Sequence, residues 1–259
     1  MLTDKIDKKN FSSWNKNKSI NFYRSQTGLQ KPEEIILQRV RKEIIGKKIL
    51  DIGVGGGRTV AYLIELSRDY RGIDYSPGMI EICRKIFPGQ EFINCDARDL
   101  SLFQDEDFDF IFFSYNGIDY ISHADRLRSL REIYRVLKRG GSFAFSSHNR
   151  GVKKSDLVKL SSLDSSANPN NPLKHFISFM KDKINHLRNR RYEIHTKEYA
   201  IVNEPGNHYA LLSYSITIET QIKQLTEVGF LAPVRTFNLE GKEVLKDSES
   251  PWIYYWAKK

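Results

Sequence analysis

The sequence predicts a doubly wound α/β domain with a mostly parallel sheet, and three observations lead there. Short β-type apolar runs alternate with segments of helical periodicity between residues 31 and 148. Parallel neighbours need a crossover connection, so this alternation implies parallel pairing and a sheet covered on both faces. The first apolar run enters a glycine-rich turn and then a helix, "KKILDIGVGGGRTVAYLIEL" at 47–66. Finally, the first three predicted strands each end on an aspartate: Asp51, Asp74 and Asp96. Three carboxylates then line one edge of the sheet, the edge at which doubly wound folds bind ligands.

The elements follow in order. "KPEEIILQRVRKEI" (31–44) reads as a helix, with Pro32 in the first turn and Glu33 and Glu34 at its positive end. "KKILDI" is a strand, "RTVAYLIELS" a helix and "YRGID" the second strand. In "SPGMIEICRKIF" Ser76 is placed as N-cap and Pro77 at the first helical position, with Ile80, Cys83 and Phe87 on one apolar face. "EFINCD" and "FDFIFFSY" are the third and fourth strands. "HADRLRSLREIYRVLKRGG" reads as a long helix with Leu127, Leu130, Tyr134 and Leu137 as its core stripe. Lys138 and Arg139 suit its negative end, and Gly140 the left-handed residue that stops it. "SFAFSS" (142–147) is the fifth strand.

Residues 149–218 break the alternation. "KSDLVKLSSLDSSANPNNP" is polar with a Ser/Asn/Pro turn cluster, and the helix after it carries Phe176, Met180, Ile184 and Leu187 at helical spacing. "YEIHTKEYAIV" and "HYALLSYSITI" read as strands joined by the turn "NEPGN"; the second alternates Leu212, Tyr214, Ile216 and Ile218 with Ser213, Ser215 and Thr217. The segment is too long for a plain loop. It is read as an α+β cap inserted after the fifth strand. The helix "ETQIKQLTEVG" and the strands "APVRTFNL" and "WIYYWAKK" then close the core. The expected division is an N-terminal segment 1–30, a core of 31–148 with 219–259, and a substrate cap 149–218.

Composition excludes several classes. The 259 residues are 40% hydrophobic and 12% aromatic, as in an ordinary folded chain. No apolar run approaches the ~18 residues of a membrane span. The polar start "MLTDKIDKKNFSSWNKNK" lacks the apolar core of a signal peptide. Cys83 and Cys95 have no metal-type spacing and suit reduced cytosolic thiols, so a cytoplasmic enzyme or binding protein with no membrane partner is expected. The net charge of +9 concentrates in the first 18 residues and in 174–197. Such runs are usually solvated faces, and contact with nucleic acid is permitted without being required.

The glycine turn raises the question of its ligand. A dinucleotide fold wants G-x-G-x-x-G, but the position of the last glycine is Arg58, and Asp51 stands in front where it would repel a pyrophosphate. Asp74 lies at the spacing at which an acid meets a ribose diol. The residues fit a cofactor without phosphate.

The set "LDIGVGGGRT", "GIDYSPGMI", "INCDARDL", "FDFIFFSYNGIDYI" and "LREIYRVLKRGGSFAFSSHN" resembles class I S-adenosylmethionine-dependent methyltransferases, with the D-x-G-x-G-x-G motif met by Asp51, Gly53, Gly55 and Gly57. The resemblance covers about 31–148 and the closing helix and strands, and not the cap. It implies a Rossmann-like sheet of seven strands with the last antiparallel. It also implies S-adenosyl-L-methionine as cofactor and S-adenosyl-L-homocysteine as product. In that reading the glycine turn holds the methionine end, with Asp51 near its amino group. Asp74 takes the ribose hydroxyls, Tyr75 and Met79 pack on the adenine, and Asp96 accepts from its amino group beside Ala97 and Arg98. Ser114 and Tyr115 lie beside the methionine and the methyl. A segment before the first core helix closes over the cofactor, and Tyr23 and Arg24 of "NFYRSQTG" are its candidates.

Methyl transfer to a hydroxyl usually benefits from a positioned base, for which histidine, with an ordinary pKa of ~6.5, is suited. His148 follows the fifth strand at the ligand edge and is the first choice; His123 and His208 follow it. His175, His186 and His195 show no metal-ligand spacing, so no metal is expected. Asn116 and Tyr120 would orient the acceptor. "SYNG" is not the Asn/Asp-Pro-Pro-Tyr signature of enzymes that methylate nucleic-acid amino groups, which favours a small polar, glycosylated or natural-product acceptor. An RNA or protein methyltransferase using 174–197 and a non-catalytic binding module stay open, and an anionic small acceptor would equally explain Arg188, Arg190 and Arg191.

Overall fold

The computed structural model describes residues 2–152, 172–204, 206–245 and 248–259. Two helices, α1 (Leu2–Trp14) and α2 (Asn17–Ser25), precede the expected helix α3 (Lys31–Ile44). The alternation then runs β1 (Ile49–Ile52), α4 (Val60–Leu66), β2 (Tyr70–Asp74), α5 (Pro77–Ile86), β3 (Glu91–Asn94) and β4 (Phe108–Phe113). A short 3-10 turn (Gly117–Tyr120), α6 (His123–Val136) and β5 (Leu137–Asn149) follow. The insertion supplies α7 (Pro172–Asn189), β6 (Ile194–His195), β7 (Tyr199–Asn203), the single turn α8 (Gly206–Tyr209) and β8 (Leu212–Ile216). Helix α9 (Ile218–Val228), β9 (Leu231–Phe237) and β10 (Trp252–Lys258) close the chain.

Strands β3-β2-β1-β4-β5 are parallel neighbours, β10 lies antiparallel beside β5, and β9 pairs antiparallel with β10. These are the expected seven strands. Central β4, "FDFIFF", is sealed from both sides: Phe110 and Phe112 pack with α3, α4 and α5, while Phe108, Ile111 and Phe113 pack with α6 and α9. A continuous apolar run is what a doubly covered strand requires.

Four details differ from the sequence reading. Helix α6 ends at Val136, because Leu137 is extended and pairs with Phe108. Gly140, at φ +75°, bends β5 while its N–H bonds to the Lys259 carbonyl; it does not stop a helix. Lys138 and Arg139 pair with Asp109 and Glu106 rather than serving a helix end. Strand pairing has outweighed a local cap signal. Second, the strands of the insertion join the main sheet: β8 runs parallel to β5 at His148 and Asn149, with β7 and β6 beyond it, giving ten strands. Third, β8 stops at Ile216, Thr217 caps α9, and Ile218 belongs to that helix. Fourth, Phe176, Met180, Ile184 and Leu187, which recur at helical spacing, are exposed where an apolar stripe is ordinarily buried. Most of the Ser/Asn/Pro cluster before them lies outside the described residues.

Asn10 of α1 ties the N-terminal segment to the insertion. Its side chain donates to the Tyr120 and Leu212 carbonyls and accepts from the Leu212 N–H. The C-terminal ends of β1, β2 and β4 thus lie beneath two helices that the chain supplies first.

Candidate active site

One cavity opens at the C-terminal ends of the parallel strands. Its floor is the turn after β1. Gly53 adopts φ +66°, and a Cβ there would lie 2.9 Å from the Phe113 ring. At Gly56 a Cβ would meet the Tyr23 carbonyl oxygen at 2.3 Å, so the closing segment rests directly on that glycine. Tyr23 and Trp14 line the cavity from above. Arg24 does not: its side chain is exposed, and only its backbone approaches Gly56.

Asp74 is buried at the end of β2, where one carboxylate oxygen accepts from Gly55 N–H (3.0 Å) and the other from Ser76 N–H (2.8 Å). Burial pushes its pKa up to about 6 against those two bonds. Ser76 stands at the N-cap position of α5 without capping it; its hydroxyl donates to Asn15 Oδ1 (2.8 Å) and ties the closing segment down. Tyr75 and Met79 form the next wall, and the Phe11 ring meets Tyr75 edge-on at 5.3 Å. Asp96 and Ala97 follow after β3. Arg98 stands outside that wall and grips Asp96 from the side (2.6 and 3.0 Å), reaching also Asp7 on α1 (2.7 Å) and Asp125 (3.4 Å). It latches α1 to the core.

Asp51 is a correction. It is not among the lining residues: its carboxylate accepts from the hydroxyl of Thr59, which does line the cavity (2.7 Å), and from Tyr70 Oη behind it (3.1 Å). Successive strand residues point to opposite faces, and here Ile52 takes the cavity side. Burial lifts the Asp51 pKa to about 7. The motif carboxylate braces the turn from behind.

Arg58 was read only as an obstacle to a dinucleotide, yet it lines the cavity. Its guanidinium meets Glu33 in a two-bond fork (2.6 and 2.7 Å), and donates to Gly28 O and Ser114 Oγ. It lies 5.0 Å over the Tyr115 ring. Glu33, expected as a helix-end charge, is fully buried and also accepts from Tyr254 Oη. A fork of this kind joins α3, the glycine turn, β4 and β10 through strong charge-assisted bonds.

His148 stands behind the cavity wall, against Tyr120, and does not itself line the cavity. Its Nδ1 faces Asp119 Oδ2 at 2.8 Å, and its Nε2 faces Glu204 Oε1 at 3.2 Å. Asp119 is fixed in turn by the His148 N–H, by Ser147 Oγ and by a buried pair with Arg126. Burial opposes the charged ring, but the Glu204 and Asp119 carboxylates outweigh it and raise the His148 pKa. Tyr115 and Asn116 both have positive φ, at +55° and +58°, a strained pair of the sort concentrated at functional sites. Asn116 is 1% exposed, places Nδ2 3.4 Å from His148 Nε2, and has no partner for Oδ1 among the described residues.

Aromatic rings join the two sides. Edge-to-face contacts run from Trp14 to Tyr23, Tyr115, Trp252, His148, Tyr120 and back to Trp14, with centroids 4.8–6.1 Å apart. Tyr120 thus belongs to both the cavity wall and the surroundings of His148.

The other histidines are placed elsewhere. His123 stacks on Tyr199 (4.1 Å) and bonds the Tyr214 hydroxyl (2.9 Å), packing the insertion against α6. His208 bonds Asp182 (2.8 Å) and holds α7. Neither lines the cavity. His186 contacts Asn203, His195 faces solvent, and the His175 side chain lies outside the described residues. No cluster of metal-binding groups occurs among the described residues. Trp14, Glu33, Arg58, Asp119, Glu204 and Trp252 are the residues that sequence reasoning missed. Only Asp119, in a loop after a strand at the ligand edge, carried a local signal.

Comparison with known proteins agrees with this geometry. Residues 49–141 match a family described as a methyltransferase domain. The chain is 34% identical over 105 residues to the phthiotriol/phenolphthiotriol dimycocerosates methyltransferase of Mycobacterium leprae, covering 39% of this chain and 37% of that protein. It is 38% identical over 102 residues to the demethylmenaquinone methyltransferase of Thermotoga maritima, covering 38% and 42%. The matches thus span about two fifths of the length of these curated relatives. Among solved structures, the 1,6-didemethyltoxoflavin-N1-methyltransferase of Burkholderia thailandensis superposes over 99% of this chain and 88% of that one, with a TM-score of 0.60 at 13% identity. An S-adenosylmethionine-dependent methyltransferase of Clostridium acetobutylicum covers 93% and 98%, with a TM-score of 0.58 at 17% identity. At such identities the likeness is one of fold. Together with the family match and the motif built by Asp51, Gly53, Gly55 and Gly57, it identifies residues 49–141 as a methyltransferase domain within a chain of the same fold as these structures.

Proposed function

We propose that this chain transfers a methyl group from S-adenosylmethionine to an oxygen or nitrogen of a small acceptor, with His148 as the base. One observation carries the acceptor side of the proposal: His148 lies between two carboxylates, inside a circuit of rings shared with the cavity.

The cavity suits the cofactor in its donor set. Asp74 is buried with only backbone N–H partners, so its remaining lone pairs fit neutral diol hydroxyls and repel phosphate. Asp96 is held by Arg98 and turns toward the same cavity an acceptor for an exocyclic amino group. The Tyr75 hydroxyl is buried there without a partner among the described residues. Gly53, Gly55, Ser114, Tyr115 and Arg58 would hold the methionine end, with Met79 and Tyr75 against the base.

When bound, the cofactor supplies an electrophilic methyl on a sulfonium, whose charge disappears on transfer. The protein's part is then orientation and proton removal. Asp119 accepts a hydrogen bond from the Nδ1–H of neutral His148, which leaves Nε2 unprotonated as the basic nitrogen. The proton removed from the acceptor settles on Nε2, where Glu204 stabilises it. Asn116 Oδ1 offers a bond to a second donor on the acceptor, beside Tyr120. In this proposal residues 1–30 close the cofactor side, 31–148 with 219–259 form the core, and the insertion 149–218 contributes Glu204 as the acceptor cap.

The test is an acceptor screen that detects S-adenosylhomocysteine, with mass spectrometry of each product. Product formation that depends on His148 supports the proposal. Tight cofactor binding with no product from any acceptor class would instead support a non-catalytic binding module.

A further inference from the structure

Helix α7 is mounted with its polar face inward. Asp182 and Ser178 meet His208, Asn185 Nδ2 donates to the His208 carbonyl, and Asn189 Nδ2 donates to the Tyr209 carbonyl. These residues recur at helical spacing and form one stripe. The opposite stripe is apolar and open to solvent: Phe176 is 59% exposed, Ile177 57%, Ile184 42% and Leu187 70%, with Met180 between them. An ordinary surface helix does the reverse and buries its apolar stripe.

Charge is arranged around that stripe. Lys183 borders it on one side, and Lys181 and Arg188 border it on the other. Arg190 and Arg191 extend the basic edge past the end of the helix, and both are exposed. Lys9 of α1 lies close enough to feel Arg188, Arg191 and Lys16. The one acid on the described part of the helix, Asp182, is turned inward and bonded to His208. The outward face is therefore apolar along its middle and cationic along both borders.

We infer that α7 seats the protein on an anionic lipid surface, with Phe176, Ile177, Met180, Ile184 and Leu187 entering the acyl boundary and Lys181, Lys183 and Arg188 meeting acidic headgroups. A helix lying in the plane of a bilayer has this cross-section, and both contributions add to its binding. Nucleic acid would use the cations and leave the apolar stripe wet. A second copy would bring the same basic borders against each other. No described helix is long and apolar enough to span a membrane, and seating in the interface needs no span. The absence of a spanning segment was the ground for expecting no membrane partner, and it does not bear on surface binding. The stripe that faces inward holds α8, close in the chain to Glu204, which faces His148, so the docked face is turned away from that cluster.

The test is cosedimentation of the full chain with vesicles of phosphatidylcholine alone and of a two-to-one phosphatidylcholine–phosphatidylglycerol mixture. Binding to the mixed vesicles, weaker on the neutral ones and reduced by salt, is expected. Phe176→Glu with Leu187→Glu should reduce it more than tenfold. Lys181→Gln with Arg188→Gln should reduce it about 25-fold, or about fivefold per basic residue. Helical circular dichroism and S-adenosylhomocysteine affinity should be unchanged in both variants, which separates this result from the catalytic proposal. Absence of binding to the mixed vesicles overturns the inference. So does equal binding by the apolar-face variant, which would leave a purely electrostatic patch of the nucleic-acid kind. A dimer in solution that the apolar-face variant splits would make the face a self-association surface and would overturn it as well.

Discussion

The cavity wall and the His148 cluster behind it are built on different length scales. Gly53, Gly55, Asp74, Tyr75, Met79, Asp96 and Ala97 come from one unbroken β-α-β-α-β stretch, each at a strand end or the start of a helix. The His148 cluster draws Trp14 from α1, Tyr120 from the 3-10 turn, His148 from β5, Glu204 from the insertion and Trp252 from β10. The first is a scaffold fixed by local chain geometry. The second is an assembly of distant segments. Such a division lets one domain keep its cofactor while its acceptor changes.

Substitutions in the two regions break or sharpen that contrast. The largest effect is expected at the acceptor side: His148→Ala should lower turnover about 10²–10⁴-fold, the range for a general base, with cofactor affinity unchanged. Rate should rise with pH as the ring loses its proton. Because Glu204 helps to raise the His148 pKa, Glu204→Gln should move the acid limb of the profile to lower pH. An unmoved limb, or full activity without His148, would remove the base from the scheme.

Next comes the scaffold. Asp74→Ala should weaken cofactor binding about a hundredfold or more in calorimetry, since bonds to a charged acceptor contribute ~1.5–3 kcal/mol each. Unchanged affinity in a folded variant breaks the cofactor assignment. Gly56→Ala probes the closure between the two sides. The added Cβ would collide with the Tyr23 carbonyl, so affinity should fall about tenfold through a displaced closing segment, with the sheet intact by circular dichroism.

The smallest effect is on pH and stability. Burial raises the Asp7 and Asp74 carboxyls to about 6 and Asp51 to about 7 from an ordinary 3.8. The folded ligand-free state then holds more protons than the unfolded chain between about pH 4 and 7. These groups therefore contribute stability at low pH that is lost as pH rises through that window, the reverse of an ordinary salt-bridged carboxylate. A ligand-free Tm that these groups carry downward from pH 4 to 7, with a shallower slope in Asp51→Asn, is expected. Cofactor affinity should run the other way and weaken below about pH 6, where Asp74 takes up its proton. A slope unaffected by Asp51→Asn would show that this aspartate is not bracing the turn in the buried state described.

Reading the sequence was most successful where a residue's role follows from its immediate neighbours. The strand ends, the glycine turn and the helix starting at Pro77 are local events, and α3 was bounded correctly from its Pro and Glu residues. It failed where two local signals competed or a face had to be chosen. "LKRGG" looks like a helix end, yet Leu137 pairs with Phe108 and extends β5. Asp51 sits in the motif as expected, but strand alternation turns it to Thr59 and Tyr70. The apolar stripe of α7 is legible from its spacing, but its exposure is not, because periodicity identifies a stripe and says nothing about what lies opposite it.

The sequence by itself therefore determined the α/β class, the ligand edge and the phosphate-free character of the cofactor site, all set by residues within one turn or one strand of each other. Only the tertiary structure decided which acids face the cavity, that Glu204 and Trp252 reach His148, and that α7 turns its polar stripe inward. Those outcomes depend on contacts between segments far apart in the chain, where the contact energy resides in the pairing and neither partner carries a local pattern that announces it.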